Sequence, residues 1–277
     1  MSKALRLGFS PCPNDAFVFH ALVHGLVGTD LSFDVVLDDV ETLNGLAEQG
    51  ALDVAKISYH AFGRLADAWW MLPAGGALGR GVGPLLVSRS SDVDLSTATV
   101  ATPGGRTTAN LLLDLYAPEA LRRTEMRYER ILPAVADGTV DAGLIIHESR
   151  FTYADHGLRM LVDLGEWWER ETGAPIPLGG IAARRDLPRA TIARVAVAVR
   201  ASVEYAFSHP DASGAYVAEH AQELSPAVRR RHIETYVNEF TLDVGREGRA
   251  AVRTLLERAA RRGKLHQPRA PLFWGEA

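Results

Sequence analysis

The stretch VDAGLIIHE, residues 140–148, is a short apolar run that ends abruptly in a histidine and a glutamate. Its length suits a strand buried in a parallel sheet. In open α/β sheets the ligand crevice lies at the carboxyl ends of the strands, and imidazole titrates closest to neutral pH of all side chains. His147 is therefore a candidate general base. The alternative is a histidine that follows a strand and merely hydrogen-bonds to a neighbour.

The rest of the chain alternates between strand-like and helix-like runs, which predicts an α/β protein with largely parallel sheets. Asn14 or Asp15 is expected to cap the first helix, and Gly25 to end it. Strands are predicted over residues 5–9, 31–37, 52–58 and 99–101, and helices over 16–23, 40–48, 108–116, 131–136, 189–207, 226–238 and 245–261.

Two sets of these elements resemble each other. Residues 50–55, GALDVA, align with residues 138–143, GTVDAG, and the same register places Tyr59 opposite His147. Coincidence is one explanation; the other is two similar lobes, each presenting a strand end to a central cleft. The second explanation predicts a larger discontinuous lobe of residues 1–90 and 182–277, a smaller lobe of residues 91–181, and two crossing segments at 83–88 and 178–183.

The composition narrows the class of protein. With 277 residues, 47% hydrophobic and 23% charged, the chain is long enough for two domains with separate cores. A net charge of −4 gives no electrostatic reason to expect a nucleic-acid or anionic-membrane partner. No apolar run reaches the ~18 residues that membrane insertion needs. The amino terminus lacks the features of a secretory signal, which predicts a cytoplasmic location.

Two loops that follow predicted strands can hold a polar ligand. In residues 10–15, SPCPND, two prolines stiffen the loop. In residues 103–108, PGGRTT, the glycines allow close backbone approach, and the helix start favours a carboxylate. Asn14, Thr107 and Thr108 are therefore candidate ligand contacts. Both loops also have a purely structural explanation, as capped helix starts.

Other patterns are weaker. Cys12 has no histidine near it in sequence, so a nucleophilic role is disfavoured. His20 and His24 have the spacing of a metal-binding pair, but no third ligand is evident, and no metal is predicted. The glycines of residues 75–83 lack dinucleotide spacing, and no phosphate-loop lysine follows Gly105, so no nucleotide cofactor is expected.

Five motifs together resemble the 1,4-dihydroxy-6-naphthoate synthase family, which belongs to the futalosine route to menaquinone. These motifs are residues 10–15, 56–59, 79–84, 107–109 and 143–153. The similarity extends from about Leu5 to residues 236–238 and on to residues 271–273. The first and last motifs are specific, whereas a glycine-rich turn alone is not.

The resemblance implies a fold similar to the type 2 periplasmic binding proteins, with two α/β lobes around a central cleft. It implies a carbon–carbon lyase that converts cyclic dehypoxanthine futalosine to 1,4-dihydroxy-6-naphthoate and releases a three-carbon fragment. It implies that His147 is the catalytic base. The substrate contacts that it implies are Lys56, Ile57, Ser58, Thr108 and Ala109.

This chemistry is expected to need no metal and no organic cofactor, because a conjugated carbonyl accommodates the departing electrons. We expect the helix start at Thr107 and Thr108 to receive a substrate carboxylate, and Lys56 and Ser58 on the facing lobe to hold polar oxygens. Glu148 is expected to orient the imidazole only indirectly, since adjacent strand residues point to opposite faces. The expected partner is a small molecule, and the oligomeric state stays open.

Two alternatives differ in class. The first is a non-catalytic binding protein for a small carboxylate, which would not need a base at a strand end. The second is a chorismate dehydratase, which shares the fold and differs in its substrate.

Overall fold

The computed structural model describes residues 4–222 and 225–276. The strands are β1 (Leu5–Phe9), β2 (Phe33–Leu37), β3 (Val54–Ser58), β4 (Trp69–Met71), β5 (Ala77–Gly79), β6 (Leu85–Ser88), β7 (Val100–Thr102), β8 (Arg123–Glu125), β9 (Ala142–Ile145), β10 (Arg159–Asp163) and β11 (Ile176–Arg184). The helices are α1 (Pro13–Val23), α2 (Val40–Glu48), α3 (Tyr59–Leu65), α4 (Thr108–Tyr116), α5 (Ile131–Ala136), α6 (Ser149–Thr152), α7 (Leu164–Thr172), α8 (Arg189–Ser208), α9 (Gly214–His220), α10 (Pro226–Tyr236), α11 (Glu239–Leu242) and α12 (Gly245–Arg261).

Local sequence signals set several helix starts. Asp39 begins α2 by accepting hydrogen bonds from the amides of Glu41 and Thr42. Thr107 begins α4 by accepting from the amide of Asn110 at 3.2 Å. Such caps satisfy amides that have no partner within the helix. The helices predicted over 40–48, 108–116, 131–136 and 245–261 are confirmed, residue for residue.

Helix α1 begins differently from the prediction. It starts at Pro13, with Cys12 in the capping position and no side-chain cap. Proline suits the first helical position because its φ is already helical and its missing N–H has no partner there. The expectation that Asn14 or Asp15 caps this helix is therefore wrong, and both side chains are available for other contacts. Gly25, with a φ of 67°, follows the helix end as predicted.

The strands form two sheets. The first has the order β2-β1-β3-β11-β4, with β5 paired to β11, and the second has the order β10-β6-β9-β7-β8. Strand β1 runs parallel to β2 and β3, and β7 runs parallel to β8 and β9. Strands β6 and β11 pair antiparallel to β9 and β3, because each crosses over from the other lobe. The sheets are therefore mixed, which corrects the expectation of largely parallel pairing.

The sheets also indicate where the chain crosses between lobes. Strand β6 belongs to the second sheet, although the predicted limit at residue 90 places it in the larger lobe. Strand β11 belongs to the first sheet, although the predicted limit at residue 181 places most of it in the smaller lobe. We propose that the lobes divide near residues 84 and 175 instead. The predicted lobes also include residues 1–3, 223, 224 and 277, which lie outside the described residues.

The first crossing segment packs tightly against the second lobe. A β-carbon on Gly83 would lie 2.1 Å from the backbone nitrogen of Gly165 in α7. Because two backbones meet here, a side chain at residue 83 would force them apart. Within residues 4–222 and 225–276, no helix is both long enough and apolar enough to cross a membrane.

Candidate active site

One cavity between the two sheets is lined by every residue that the sequence predicted for the site. Helix α1, the end of β3, the start of α4 and the segment after β9 all contribute to it. Strand ends from both lobes therefore meet at the same place. The predicted residues that line the cavity are Asn14, Lys56, Ile57, Ser58, Thr107, Thr108, Ala109 and His147.

His147 lies two residues after the end of β9. Its φ of 56° is in the left-handed region, which no other non-glycine residue adopts within the described parts of the chain. Such a conformation costs of order 1–3 kcal/mol and persists where the surrounding structure imposes it, often at functional sites. The imidazole Nε2 is buried and has no hydrogen-bond partner among the described residues. This nitrogen can therefore accept a proton from a ligand.

Two rings flank the imidazole of His147. Tyr128 meets it edge-on, with ring centroids 4.7 Å apart, and His232 stacks on it at 5.9 Å with an interplanar angle of 14°. Burial lowers the pKa of His147 to about 4; the Asp15 carboxylate opposes this shift, and the Lys56 ammonium adds to it. The imidazole is consequently neutral at neutral pH.

A hydrogen-bonded network connects α10 to β3 along the cavity. His232 Nε2 is 2.8 Å from Asn14 Oδ1, and Asn14 Nδ2 donates to Asp15 Oδ1 at 2.9 Å. Because a carbonyl oxygen only accepts, His232 Nε2 is the protonated nitrogen in this arrangement. Asp15 Oδ1 also accepts from Lys56 Nζ at 2.6 Å, and both side chains of this ion pair are buried. The network therefore fixes four polar side chains around the cavity.

Glu148 contacts the neighbours of His147. Its Oε2 lies 3.6 Å from His232 Nδ1, and its Oε1 accepts a long hydrogen bond of 3.5 Å from the Tyr128 hydroxyl. Burial, followed by the proximity of His147, lowers the pKa of His232 well below its usual value. Glu148 therefore contacts both rings that flank the imidazole of His147.

Cys12 lies beside the same network. Its Sγ donates to Asn14 Oδ1 at 3.0 Å. Burial, and then the charge of Asp15, raise the pKa of this thiol well above its usual value. Because the thiolate is the nucleophilic form, this environment disfavours a nucleophilic role. Cys12 Sγ and one ring nitrogen each of His147 and His232 lie within 4.8 Å of one another, a set of donors that can bind a metal.

The start of α4 offers backbone donors to the cavity. Thr108 Oγ1 donates to the carbonyl of Leu178 at 2.6 Å and accepts from the amide of His60 at 3.2 Å, so this hydroxyl already joins the two lobes. The Thr107 hydroxyl caps the helix. The amides of Thr108 and Ala109 have no helical carbonyl to bind, and such amides suit an anion. The backbone is therefore better placed than the threonine hydroxyls to receive a carboxylate.

The end of β3 forms the facing wall. The Ser58 amide donates to Asn44 Oδ1 at 3.0 Å, and Asn44 Nδ2 donates to Ser58 Oγ at 3.2 Å. This pair fixes the serine and leaves its O–H to donate to a ligand oxygen. Ile57 supplies apolar surface beside it.

Ion pairs join the two lobes at the edge of the cleft. Arg106, just before α4, contacts Glu41 at 2.9 Å and Glu48 at 2.7 Å on α2. Glu41 Oε2 also accepts from the backbone amide of Arg106 at 3.0 Å. A β-carbon on Gly104, whose φ is 125°, would lie 2.3 Å from the Glu41 side chain. The loop therefore closes onto α2 only with glycine at residue 104.

Comparison with known sequences assigns the chain to a family. The family model described as menaquinone biosynthesis matches residues 5–261. The chain belongs to the menaquinone biosynthesis family. A 1,4-dihydroxy-6-naphthoate synthase of Thermus thermophilus is 54% identical over 271 residues, which cover 98% of this chain and 99% of the relative. The enzyme of the same name from Streptomyces coelicolor is 52% identical over 267 residues, which cover 95% of each chain.

Solved structures agree with the fold of this family member. A protein from Archaeoglobus fulgidus superposes with a TM-score of 0.89 at 39% identity, over 94% of this chain and 98% of that one. The alkanesulfonate-binding protein of Xanthomonas axonopodis pv. citri, bound to MOPS, superposes with a TM-score of 0.72 at 17% identity, over 99% and 98%. The predicted periplasmic-binding-protein-like fold is confirmed.

Five polar residues of the cavity were not among the predicted contacts: Ser10, Cys12, Asp15, His232 and Tyr236. His232 comes from α10, whose buried residues are His232 and Tyr236, four residues apart on one face of the helix. That spacing of two aromatic polar side chains is the signal that could have identified His232. Asp15 was mistaken for a cap, although a proline at residue 13 already suits the first helical position.

Proposed function

We propose that this protein is a 1,4-dihydroxy-6-naphthoate synthase of menaquinone biosynthesis. It acts as a carbon–carbon lyase, converting cyclic dehypoxanthine futalosine to 1,4-dihydroxy-6-naphthoate with release of a three-carbon fragment. One observation carries the proposal: the eight predicted residues line a single cavity, and among them is His147, whose Nε2 has no partner within residues 4–222 and 225–276. Two relatives of this name, 54% and 52% identical over nearly the whole chain, support it.

In the proposed reaction, His147 Nε2 accepts the proton whose removal begins the cleavage. A positioned base contributes roughly 10²–10⁴-fold to such a step. The electrons of the broken carbon–carbon bond pass to a conjugated carbonyl of the substrate, and the resulting enolate takes up a proton as the base is regenerated. Formation of an aromatic naphthalene ring then favours the products. The neighbouring rings of Tyr128 and His232 hold the imidazole in place.

The remaining residues bind and orient the substrate. The amides of Thr108 and Ala109 receive the substrate carboxylate, and Lys56 and Ser58 on the opposite wall hold its polar oxygens. Closure of the lobes fixes this geometry and excludes water. The small-molecule partner and the cytoplasmic location belong to the same proposal.

A product assay tests the proposed function. The purified full-length chain is incubated with cyclic dehypoxanthine futalosine, and with chorismate in parallel, and the products are identified by mass spectrometry. We expect 1,4-dihydroxy-6-naphthoate from the first substrate and no enol-ether product from the second. Binding of the futalosine derivative without turnover would support a binding protein and overturn the proposal, as would turnover of chorismate.

Thr108→Val is expected to raise the KM for cyclic dehypoxanthine futalosine by about tenfold, with a smaller fall in kcat. Valine keeps the shape of the side chain but removes its hydrogen bonds to Leu178 and His60, so closure against the other lobe is weakened. Steady-state kinetics measure the effect. A KM equal to that of the wild type would show that this contact does not contribute to substrate binding.

Glu41→Gln is expected to raise the KM about two- to fivefold, because the closed cleft loses an ionic contact with Arg106. The KM of the wild type should also rise with ionic strength, and that of the variant less so, since salt screens this contact. Glu204→Gln, which breaks an exposed pair with Arg200 within α8, is the matched control and should leave the KM unchanged. Equal KM values in the two variants would contradict a role in closure.

A further inference from the structure

Three soft or borderline metal donors lie together at the cavity wall. Cys12 Sγ comes from the start of α1, and ring nitrogens come from His147 after β9 and from His232 in α10. All three atoms lie within 4.8 Å of one another. Nε2 of His147 has no hydrogen-bond partner among the described residues, so its lone pair is available for coordination.

We infer that Cys12, His147 and His232 form an inhibitory binding site for a thiophilic divalent cation such as Zn²⁺. A cysteine sulfur with two imidazoles suits Zn²⁺, its spectroscopic substitute Co²⁺, and copper, whereas Mg²⁺ and Ca²⁺ prefer oxygen ligands. Three protein ligands leave the fourth tetrahedral position to a water molecule or to another oxygen. This site binds no cofactor of the proposed reaction.

Small side-chain movements are enough to form the site. In a tetrahedral zinc site, with Zn–S near 2.3 Å and Zn–N near 2.0 Å, neighbouring ligand atoms are about 3.5 Å apart. The three donors, which lie within 4.8 Å of one another, must therefore approach by at most about 1.3 Å. Asn14 Oδ1 now lies 3.0 Å from Cys12 Sγ and 2.8 Å from His232 Nε2, between two of the donors. On metal binding Asn14 Oδ1 either turns away or supplies the fourth ligand, while the Cys12 thiol releases its proton and the coordinating nitrogen of His232 gives up any proton that it carries.

Occupation of this site removes the base from the reaction. A metal on the imidazole of His147 takes the lone pair that would accept the proton. It also stands in the cavity, where the substrate binds, so the inhibition should be competitive with substrate. This consequence rests on the proposed function, whereas metal binding itself does not.

Cobalt spectroscopy tests the site without any assay of turnover. Full-length protein, freed of any histidine tag, is titrated with Co²⁺. Because the chain contains a single cysteine, a thiolate-to-cobalt charge-transfer band in the near ultraviolet must come from Cys12. We expect this band to saturate at one Co²⁺ per chain and to disappear when Zn²⁺ is added. No binding, or binding without this band, would overturn the proposal.

Two variants locate the other ligands. Loss of an outer-shell partner already costs roughly 10–100-fold in metal affinity, so Cys12→Ser should weaken Zn²⁺ binding by at least about 100-fold in calorimetry. His232→Gln should weaken it comparably, and the Co²⁺ band should shift. The competing location is the pair His20 and His24 on α1, with ring centroids 4.5 Å apart. Binding that is lost in His20→Gln and kept in Cys12→Ser would overturn the proposal.

Inhibition is measured separately, with cyclic dehypoxanthine futalosine as substrate. Zn²⁺ should raise the apparent KM of the wild type, and a chelator should reverse the effect, while Mg²⁺ at the same concentration should have none. Inhibition that leaves the apparent KM unchanged would contradict a metal in the cavity. If the protein shows the cobalt band but does not turn over the substrate, the metal site stands and only the proposed function is overturned.

Discussion

His147→Ala is expected to fold like the wild type and to lower kcat for cyclic dehypoxanthine futalosine by at least about 100-fold. The variant removes the nitrogen that has no hydrogen-bond partner in the described part of the chain, and it leaves the Lys56–Asp15 pair and the start of α4 in place. Substrate binding should therefore change much less than turnover. Single-turnover kinetics and product detection measure the loss, and thermal melting reports the fold.

Two controls separate the loss of the base from a change in the backbone. His147→Asn also removes the base, but asparagine tolerates the positive φ at this position. It should be as inactive as His147→Ala. His156→Ala changes an exposed histidine outside the cavity and should keep full turnover. Turnover within about threefold of the wild type in either residue-147 variant would exclude His147 as the base.

Lys56→Met is expected to lower the free energy of unfolding by about 3–5 kcal/mol. Asp15 accepts from Lys56 Nζ at 2.6 Å, and both side chains are buried. Without the lysine, the aspartate charge remains inside the protein without its counter-charge, which costs more than the lost contact alone. Urea unfolding of the full chain measures the change, with thermal melting as a second probe in case the two lobes unfold separately.

The double variant Asp15→Asn, Lys56→Met should recover most of this stability, because neither charge is then buried alone. It should stay inactive, since both residues line the cavity. Arg194→Met is the matched control: it breaks a pair with Asp30 that is also 2.6 Å long but exposed, and should cost less than about 1 kcal/mol. A Lys56→Met variant as stable as Arg194→Met would contradict the structural importance of the buried pair.

The sequence by itself was sufficient where short-range signals decide the structure. Helices α2 and α4 have the predicted bounds because a capping side chain and an apolar periodicity lie within a few residues of each other. Strand β9 and the histidine after it were likewise evident from one apolar run. The fold class followed from the alternation of such segments and from the resemblance to the family. The prediction was wrong at the start of α1. Pro13 occupies the first helical position, so the expected caps Asn14 and Asp15 lie within the helix.

The tertiary structure decided which side chains meet. His232 reaches Asn14 across 218 residues of sequence, and Lys56 reaches Asp15 across 41. No local periodicity encodes such pairs, because they depend on how α1, β3 and α10 pack around the cleft. The same holds for β6 and β11. Each of these crossing strands pairs within a different sheet, and the packing of the lobes decides which one. Local chemistry thus determined the elements and the candidate base, whereas packing of the two lobes determined the side chains that surround it.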